Sequence, residues 1–266
     1  MNSTDPNRDL LLSAVEKLAP LLDRLVFVGG CATGLLITDP GAAAVRATRD
    51  VDVIVGFMDP QFRAFAGTDW QRENLAAPVR RSEDVDTIAN LSSYPEFTLL
   101  EDRLRKLGFR ESREEGAPVC RWVQGDLVLD VMPTDPSILG FANRWYGSAY
   151  DNAKKVQVGT HEIRLIRAPY FLATKLEAFV GRGRNDYAAS ADLEDVIAVI
   201  DGRPEIVGEV RLSNSDLQQY LSNKFRELLA NRAFAESLPG FLLPDAVSQQ
   251  RIAVVLERVN LLIGDR

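Results

Sequence analysis

Two carboxylates set two residues apart inside an apolar run most constrain what this chain can become. Residues 50–55 read Asp-Val-Asp-Val-Ile-Val, with Gly56 after them. The apolar residues predict a mostly buried strand. Side chains alternate along a strand, so Asp50 and Asp52 leave by the same face. Two such carboxylates repel each other, and burying either unpaired is expensive. A hard divalent cation such as Mg²⁺ between them relieves both costs. Alternating acids on a half-exposed strand are common in themselves. The apolar company of Asp50 and Asp52 is what argues for a site.

Upstream, residues 25–28 (Leu-Val-Phe-Val) read as a second buried strand, ending in Gly29-Gly30. A short apolar helix is expected over residues 31–37. Without Cβ atoms the two glycines let backbone approach a ligand closely, and the N–H groups of a helix start cradle phosphate. Gly-Gly alone marks many tight turns. The weight comes from the order: strand, Gly-Gly, helix, then the Asp-x-Asp strand.

That order resembles the nucleotidyltransferase signature of the polymerase-beta-like superfamily. The spacing from Gly30 to Asp50 is longer than the commonest form, and Asp39-Pro40-Gly41-Ala-Ala-Ala accounts for the extra residues as a surface loop. Arg46, Thr48, Asp50 and Asp52, in the form Arg-x-Thr-x-Asp-x-Asp, most resemble the toxin-type AbiEii/AbiGii nucleotidyltransferases, a group that includes the MenT toxins. The resemblance spans roughly residues 25–201. It implies an α/β (α+β) fold: a nucleotidyltransferase core with a small mixed sheet at 1–167, and a helical region at 168–266 completing the active-site cleft. It implies transfer of a nucleoside monophosphate from an NTP to an acceptor hydroxyl. Two Mg²⁺ ions would be held by Asp50, Asp52 and a third acid. Gly29 and Gly30 would hold the terminal phosphates, with Thr48 in the same nucleotide site. The acceptor it implies is the 3′ end of a tRNA. The implied role is that of a toxin in a bacterial toxin–antitoxin (abortive infection) system, neutralised by an antitoxin protein. The enzymatic alternative is an aminoglycoside-type transferase acting on a small molecule. A further alternative is a nucleotide-binding protein of the same fold without turnover. It predicts loss of a catalytic acid, yet all three are present.

The third acid is sought on a neighbouring strand. Residues 127–132 read Leu-Val-Leu-Asp-Val-Met, one carboxylate interrupting an apolar run. Asp130 matches the third catalytic acid in type and context, placed to accept the proton of the attacking hydroxyl. Its bland alternative is an edge-strand acid facing solvent. Asp135 is the rival, but Pro133 and Pro136 put it in a loop.

The nucleotide side of the implied site comes from later residues. Pro169 suits the first turn of a helix that carries Lys175, and Arg182 lies seven residues on, nearly on the same face. Gly181 and Gly183 offer that helix an earlier end. Ser190 is a good N-cap for a helix over 191–200, on which Asp192 and Asp195 are neighbours three apart. A first-turn aspartate such as Asp192 also simply stabilises the helix dipole. The toxin-type family carries a lysine, a basic loop and an Asp-x-x-Asp helix in this order, and Lys175, Arg182, Asp192 and Asp195 match it. Where that family has a lysine before the first aspartate, this chain has Ala191.

Net charge is −7, so the chain as a whole does not advertise a nucleic-acid binder. Residues 154–184 differ: Lys154, Lys155, Arg164, Arg167, Lys175, Arg182 and Arg184 are opposed only by Glu162 and Glu177. Such a local excess suits a polyanion, although a solvated face with chance clustering reads the same way. No apolar run approaches membrane-spanning length, and the polar N-terminus lacks a signal-peptide core. Cys31 and Cys120 suit a reducing cytoplasm better than a disulfide scaffold, and both sit in apolar surroundings. The single histidine, His161, nearly excludes a histidine-based metal site or triad.

The remaining pattern predicts helices over 9–22 and 96–107, a helical turn at 60–65, and an insertion or loop at 68–95. Strands are expected at 109–112, 119–123 and 127–132, the last two joined by a Gly125-Asp126 turn. A short helix is expected over 138–145, a hairpin over 155–166, and helical segments over 205–210, 215–235 and 246–263.

Overall fold

The strand β1 (Leu25–Val28) is buried along its whole length, as four apolar residues in a row demand. It sits inside a seven-stranded mixed sheet of order β3-β4-β5-β2-β1-β7-β6. The computed structural model describes residues 5–56, 93–182 and 186–264. The turn expected at 60–65, the part of the 68–95 region up to 92, and Gly183 and Arg184 lie outside the described residues. So does the side chain of Arg182.

The other strands are β2 (Asp50–Val55), β3 (Arg110–Glu111), β4 (Arg121–Gln124), β5 (Leu127–Pro133), β6 (Lys154–Val158) and β7 (His161–Leu165). β1 pairs antiparallel with β2 and parallel with β7, while β2 pairs parallel with β5. β5 is therefore an interior strand, flanked by β2 and β4. Its pairing with β4 is antiparallel and closes through Gly125-Asp126, which fixes Arg121 opposite Asp130.

Helices cover the sheet. α1 (Arg8–Lys17) lies against β2, β5 and β7, and α2 (Gly29–Leu36) lies against β1 and β2. α1 is shorter than its sequence pattern: Pro20 enters a separate 3₁₀ turn, Ala19–Leu21. α3 (Ser93–Lys106) follows the undescribed segment. The single helix expected over 138–145 is instead two, α4 (Pro136–Leu139) and α5 (Tyr146–Asp151). Asp135 caps the first by accepting from Ser137 N, and Gly140 ends it in a left-handed conformation. Asp135 thus serves as the cap of a short helix in the loop after β5.

From residue 168 onward the described elements are all helical. α6 (Ala168–Arg182) runs through Gly181 without breaking, and packs on α7 (Ala191–Gly202), whose cap is the expected Ser190. α8 (Ile206–Arg211) and α9 (Ser215–Ala230) follow. The segment expected as one helix to residue 235 divides at Asn231, which caps α10 (Arg232–Ser237). The last segment also divides, into α11 (Ala246–Gln250) and α12 (Ile252–Ile263). One continuous apolar core joins strand residues such as Phe27 and Leu129 to helical residues such as Phe171, Leu193, Phe225 and Val255. Among the described residues no helix is long and apolar enough to cross a membrane.

Candidate active site

The parallel pairing of β2 with β5 sets Asp52 directly opposite Asp130. Paired residues on neighbouring strands share a face, so Asp50, Asp52 and Asp130 all leave the same side of the sheet. Asp130 is 6% exposed, which rules out the solvent-facing alternative. β1 brings the glycines to the same place, because Val28 pairs with Asp52 and Gly29 follows it.

Gly29 and Gly30 are the first two residues of α2, so the helix starts two residues earlier than its apolar pattern suggests. Gly29 has a φ of +67°, and a Cβ there would lie 1.9 Å from Asp52 Oδ2. Only glycine lets the carboxylate pack on the helix start, where the helix dipole favours negative charge. A Cβ on Gly30 would meet Arg46 Nη2 at 3.1 Å, Asp195 Oδ2 at 3.5 Å and the Thr48 Cβ at 3.5 Å. The backbone at Gly30 is thus the point where the Arg46–Thr48 segment and α7 converge.

Thr48, Lys175, Asp192 and Asp195 each have a definite partner. Thr48 donates its hydroxyl to Asp50 Oδ1 at 2.7 Å. Lys175 Nζ lies 2.7 Å from Asp195 Oδ2 and 3.2 Å from Asp192 Oδ1. All three side chains are nearly buried. Burial pushes the Lys175 ammonium down, but the Asp195 and Asp192 charges overcome this and hold it above its ordinary value. Arg46 approaches Asp195 at 3.4 Å and Glu194 at 3.6 Å. Lys175 is therefore committed to two aspartates. Arg46 is the described cation nearest the glycines.

Two further residues shape the site. Asn7, 1% exposed, donates to Arg46 O at 2.8 Å and accepts from Thr48 N at 2.7 Å. Its carboxamide holds the backbone that leads into β2. Arg121 donates Nε to Asp130 Oδ1 at 2.8 Å and Nη2 to Asp130 Oδ2 at 2.7 Å and Asp50 Oδ2 at 3.0 Å. These bonds hold the guanidinium firmly protonated. The sequence carries a signal for Arg121: counting outward from a two-residue Gly125-Asp126 turn places it opposite Asp130. It carries none for Asn7, which lies 39 residues from one partner and 41 from the other.

The hairpin keeps part of the basic stretch together, with Lys155 directly across from Arg164, whereas Lys175 is buried against Asp192 and Asp195. Lys155 pairs with Glu162 at 2.7 Å. Arg164 and Arg167 bond the carbonyls of Tyr150 and Asn152. Burial, then the charge of Arg203, pushes Lys154 below the ordinary lysine value. The cysteines are core residues: burial, then the Asp130 charge, raises the Cys120 thiol to about 12. Burial, then Asp52, also raises Cys31.

Carboxylate oxygens are suitable donors for Mg²⁺. Their arrangement is another matter. Among the described residues, no group of three or more His, Cys, Asp or Glu side chains is placed to hold a metal ion. Asp50 and Asp130 instead share Arg121.

No family model matches the chain, and no curated protein matches it. Solved structures similar to it include an antigenic nucleotidyltransferase-like protein from Paracoccidioides brasiliensis. That likeness has 17% identity over 88% of this chain and 94% of the other, with a TM-score of 0.41. JHP933 from Helicobacter pylori is 13% identical over 99% of this chain and 94% of the other, with a TM-score of 0.43.

Proposed function

We propose that this chain is a nucleotidyltransferase that moves a nucleoside monophosphate from an NTP to an acceptor hydroxyl. One observation carries the reading: Asp52 stands in register with Asp130 and packs on Gly29 at a helix start. A three-acid face and a phosphate cradle thereby adjoin each other. Asp130 takes the proton of the acceptor hydroxyl. The N–H groups opening α2 hold the terminal phosphates, and Arg46 neutralises them from the side of Gly30. Lys175, Asp192 and Asp195 fix α6 against α7 beside that cradle.

The acceptor we propose is a tRNA 3′ end, with the chain acting as a toxin held in check by a protein antitoxin. The Arg46-x-Thr48-x-Asp50-x-Asp52 resemblance supports this. A small-molecule acceptor is the second reading, favoured by the net charge of −7. The test is incubation with each labelled NTP and Mg²⁺, with total tRNA or an aminoglycoside as acceptor. Label in RNA, absent with D52N and falling steeply with salt, is the expected result. Label on the small molecule alone establishes the second reading.

A further inference from the structure

The loop between α4 and α5 carries an exposed aromatic and an exposed cation three residues apart. Phe141 is 43% exposed, and Arg144 is exposed as well. The loop is tied down at both ends of this pair. Asn143 donates Nδ2 to Thr174 O at 2.8 Å and accepts from Trp145 N at 3.1 Å. Tyr146 donates its hydroxyl to Met132 Sδ at 2.9 Å. Both anchors adjoin the candidate site. Thr174 precedes Lys175, and Met132 lies two residues after Asp130 on β5, so it leaves the same face of the sheet.

Arg144 is held in place without being neutralised. Its guanidinium carbon lies 4.9 Å from the centre of the Trp145 ring and 5.3 Å from that of Tyr220. Trp145 is buried and meets Tyr220 edge-on at 5.0 Å, so the two rings make a fixed floor under the cation. The acid beside that floor, Glu177, accepts from the Tyr220 hydroxyl at 2.8 Å. Among the described residues the Arg144 guanidinium forms no ion pair or hydrogen bond, whereas Arg105, Arg203 and Arg251 each bond carboxylates. A guanidinium resting on rings keeps its planar fork of donors open to phosphate oxygens. An open aromatic ring beside a cation is the pairing that holds single-stranded nucleic acid, because every base offers a π-face and every linkage a charge. A duplex hides those base faces.

We propose that Phe141 and Arg144 are a contact for single-stranded RNA beside the acid face, with Arg144 on a backbone phosphate and Phe141 stacked on an unpaired base. This rests on the RNA-acceptor reading of the site. The stack supplies a local unneutralised cation in a chain whose net charge is −7, and it does so next to Asp130.

The test measures RNA binding in EDTA, by the anisotropy of a fluorescein-labelled single strand of about 12 nucleotides. The proteins are wild type, R144Q, R144E, F141A and, as a remote charge control on α10, R232E. R144Q should weaken binding severalfold and lower the salt slope by about 0.7, one phosphate contact. R144E should weaken it further. F141A should cost roughly tenfold with the salt slope unchanged, because stacking carries no counterion. R232E should bind as wild type does, and a duplex of the same length should bind more weakly than the strand. Both Arg144 variants and F141A binding like wild type overturns the contact. An equal loss in R232E overturns it in favour of bulk charge. Displacement of the RNA by polyglutamate at equal charge concentration overturns it in favour of an acidic protein partner. Label transfer from an NTP is assayed in parallel. Transfer to an aminoglycoside with no RNA binding overturns this inference and leaves the nucleotidyltransferase reading standing. RNA binding that depends on Arg144 and Phe141, with transfer to no acceptor, supports the contact and overturns that reading.

Discussion

Lys175 on α6 and Asp195 on α7 meet at 2.7 Å with both side chains buried, and Asp192 closes the triad at 3.2 Å. The ammonium is thus first of all a counter-charge for two acids that the apolar α6–α7 contact would otherwise leave exposed to each other. Breaking such a group by removing one member is costly because the remaining charges stay buried. K175M should lower unfolding free energy by about 3–5 kcal/mol, measured by denaturant titration. Adding D192N and D195N should recover part of that loss, and full additivity would show that the three do not act as a unit.

The same triad sets an alkaline limit. Lys175 is held above its ordinary value of 10.5. Its stabilisation is complete below pH 10.5 and is lost as pH rises through the raised value. The stability difference between wild type and K175M should stay level from pH 7 to pH 10 and shrink only beyond it. A difference that fades at lower pH would contradict the pairing.

Gly29 combines a φ of +67° with the Asp52 carboxylate in its Cβ position. G29A should cost about 1–3 kcal/mol of stability from backbone strain alone. Because Asp52 must also move, nucleotide binding should weaken as well. Calorimetric titration beside a melting curve checks the two effects separately.

D52N keeps the size of the side chain and removes one of the clustered negative charges. It should fold, with a melting temperature equal to or above that of wild type, and show no detectable nucleotide transfer. Near-normal turnover would remove Asp52 from the site.

Arg251 bonds Asp201 at 2.7 Å and Asp39 at 2.7 Å, tying the start of α12 to the end of α7 and to the loop that follows α2. Asp201 is buried. R251Q leaves that carboxylate without its partner and should cost about 3 kcal/mol. The loosened loop runs on into Arg46 and Thr48, so weaker nucleotide binding should accompany the loss. A stable R251Q with unchanged binding would show that the clamp is incidental.

What the chain spells out locally survives folding unchanged. Alternation along β2 put Asp50 and Asp52 on one face, the apolar run around Asp130 marked a strand, and Ser190 capped α7 as its hydroxyl and position require. These follow from side-chain geometry within a few residues. Helix ends were less legible, because Pro20, Gly140 and Asn231 act through short-range caps and breaks that compete with a longer apolar period. The partners within the site were decided only by tertiary packing. That Lys175 pairs with both Asp192 and Asp195 is decided only when α6 lies on α7. The cations of 154–184 run together in sequence, but only the β6–β7 pairing sets Lys155 across from Arg164 and only the packing of α6 on α7 takes Lys175 into the interior. Asn7 becomes a site residue only because α1 is laid against the sheet beside β2. Contacts between distant segments depend on how sheet and helices bury their apolar faces together, and a linear pattern records each face but not its partner.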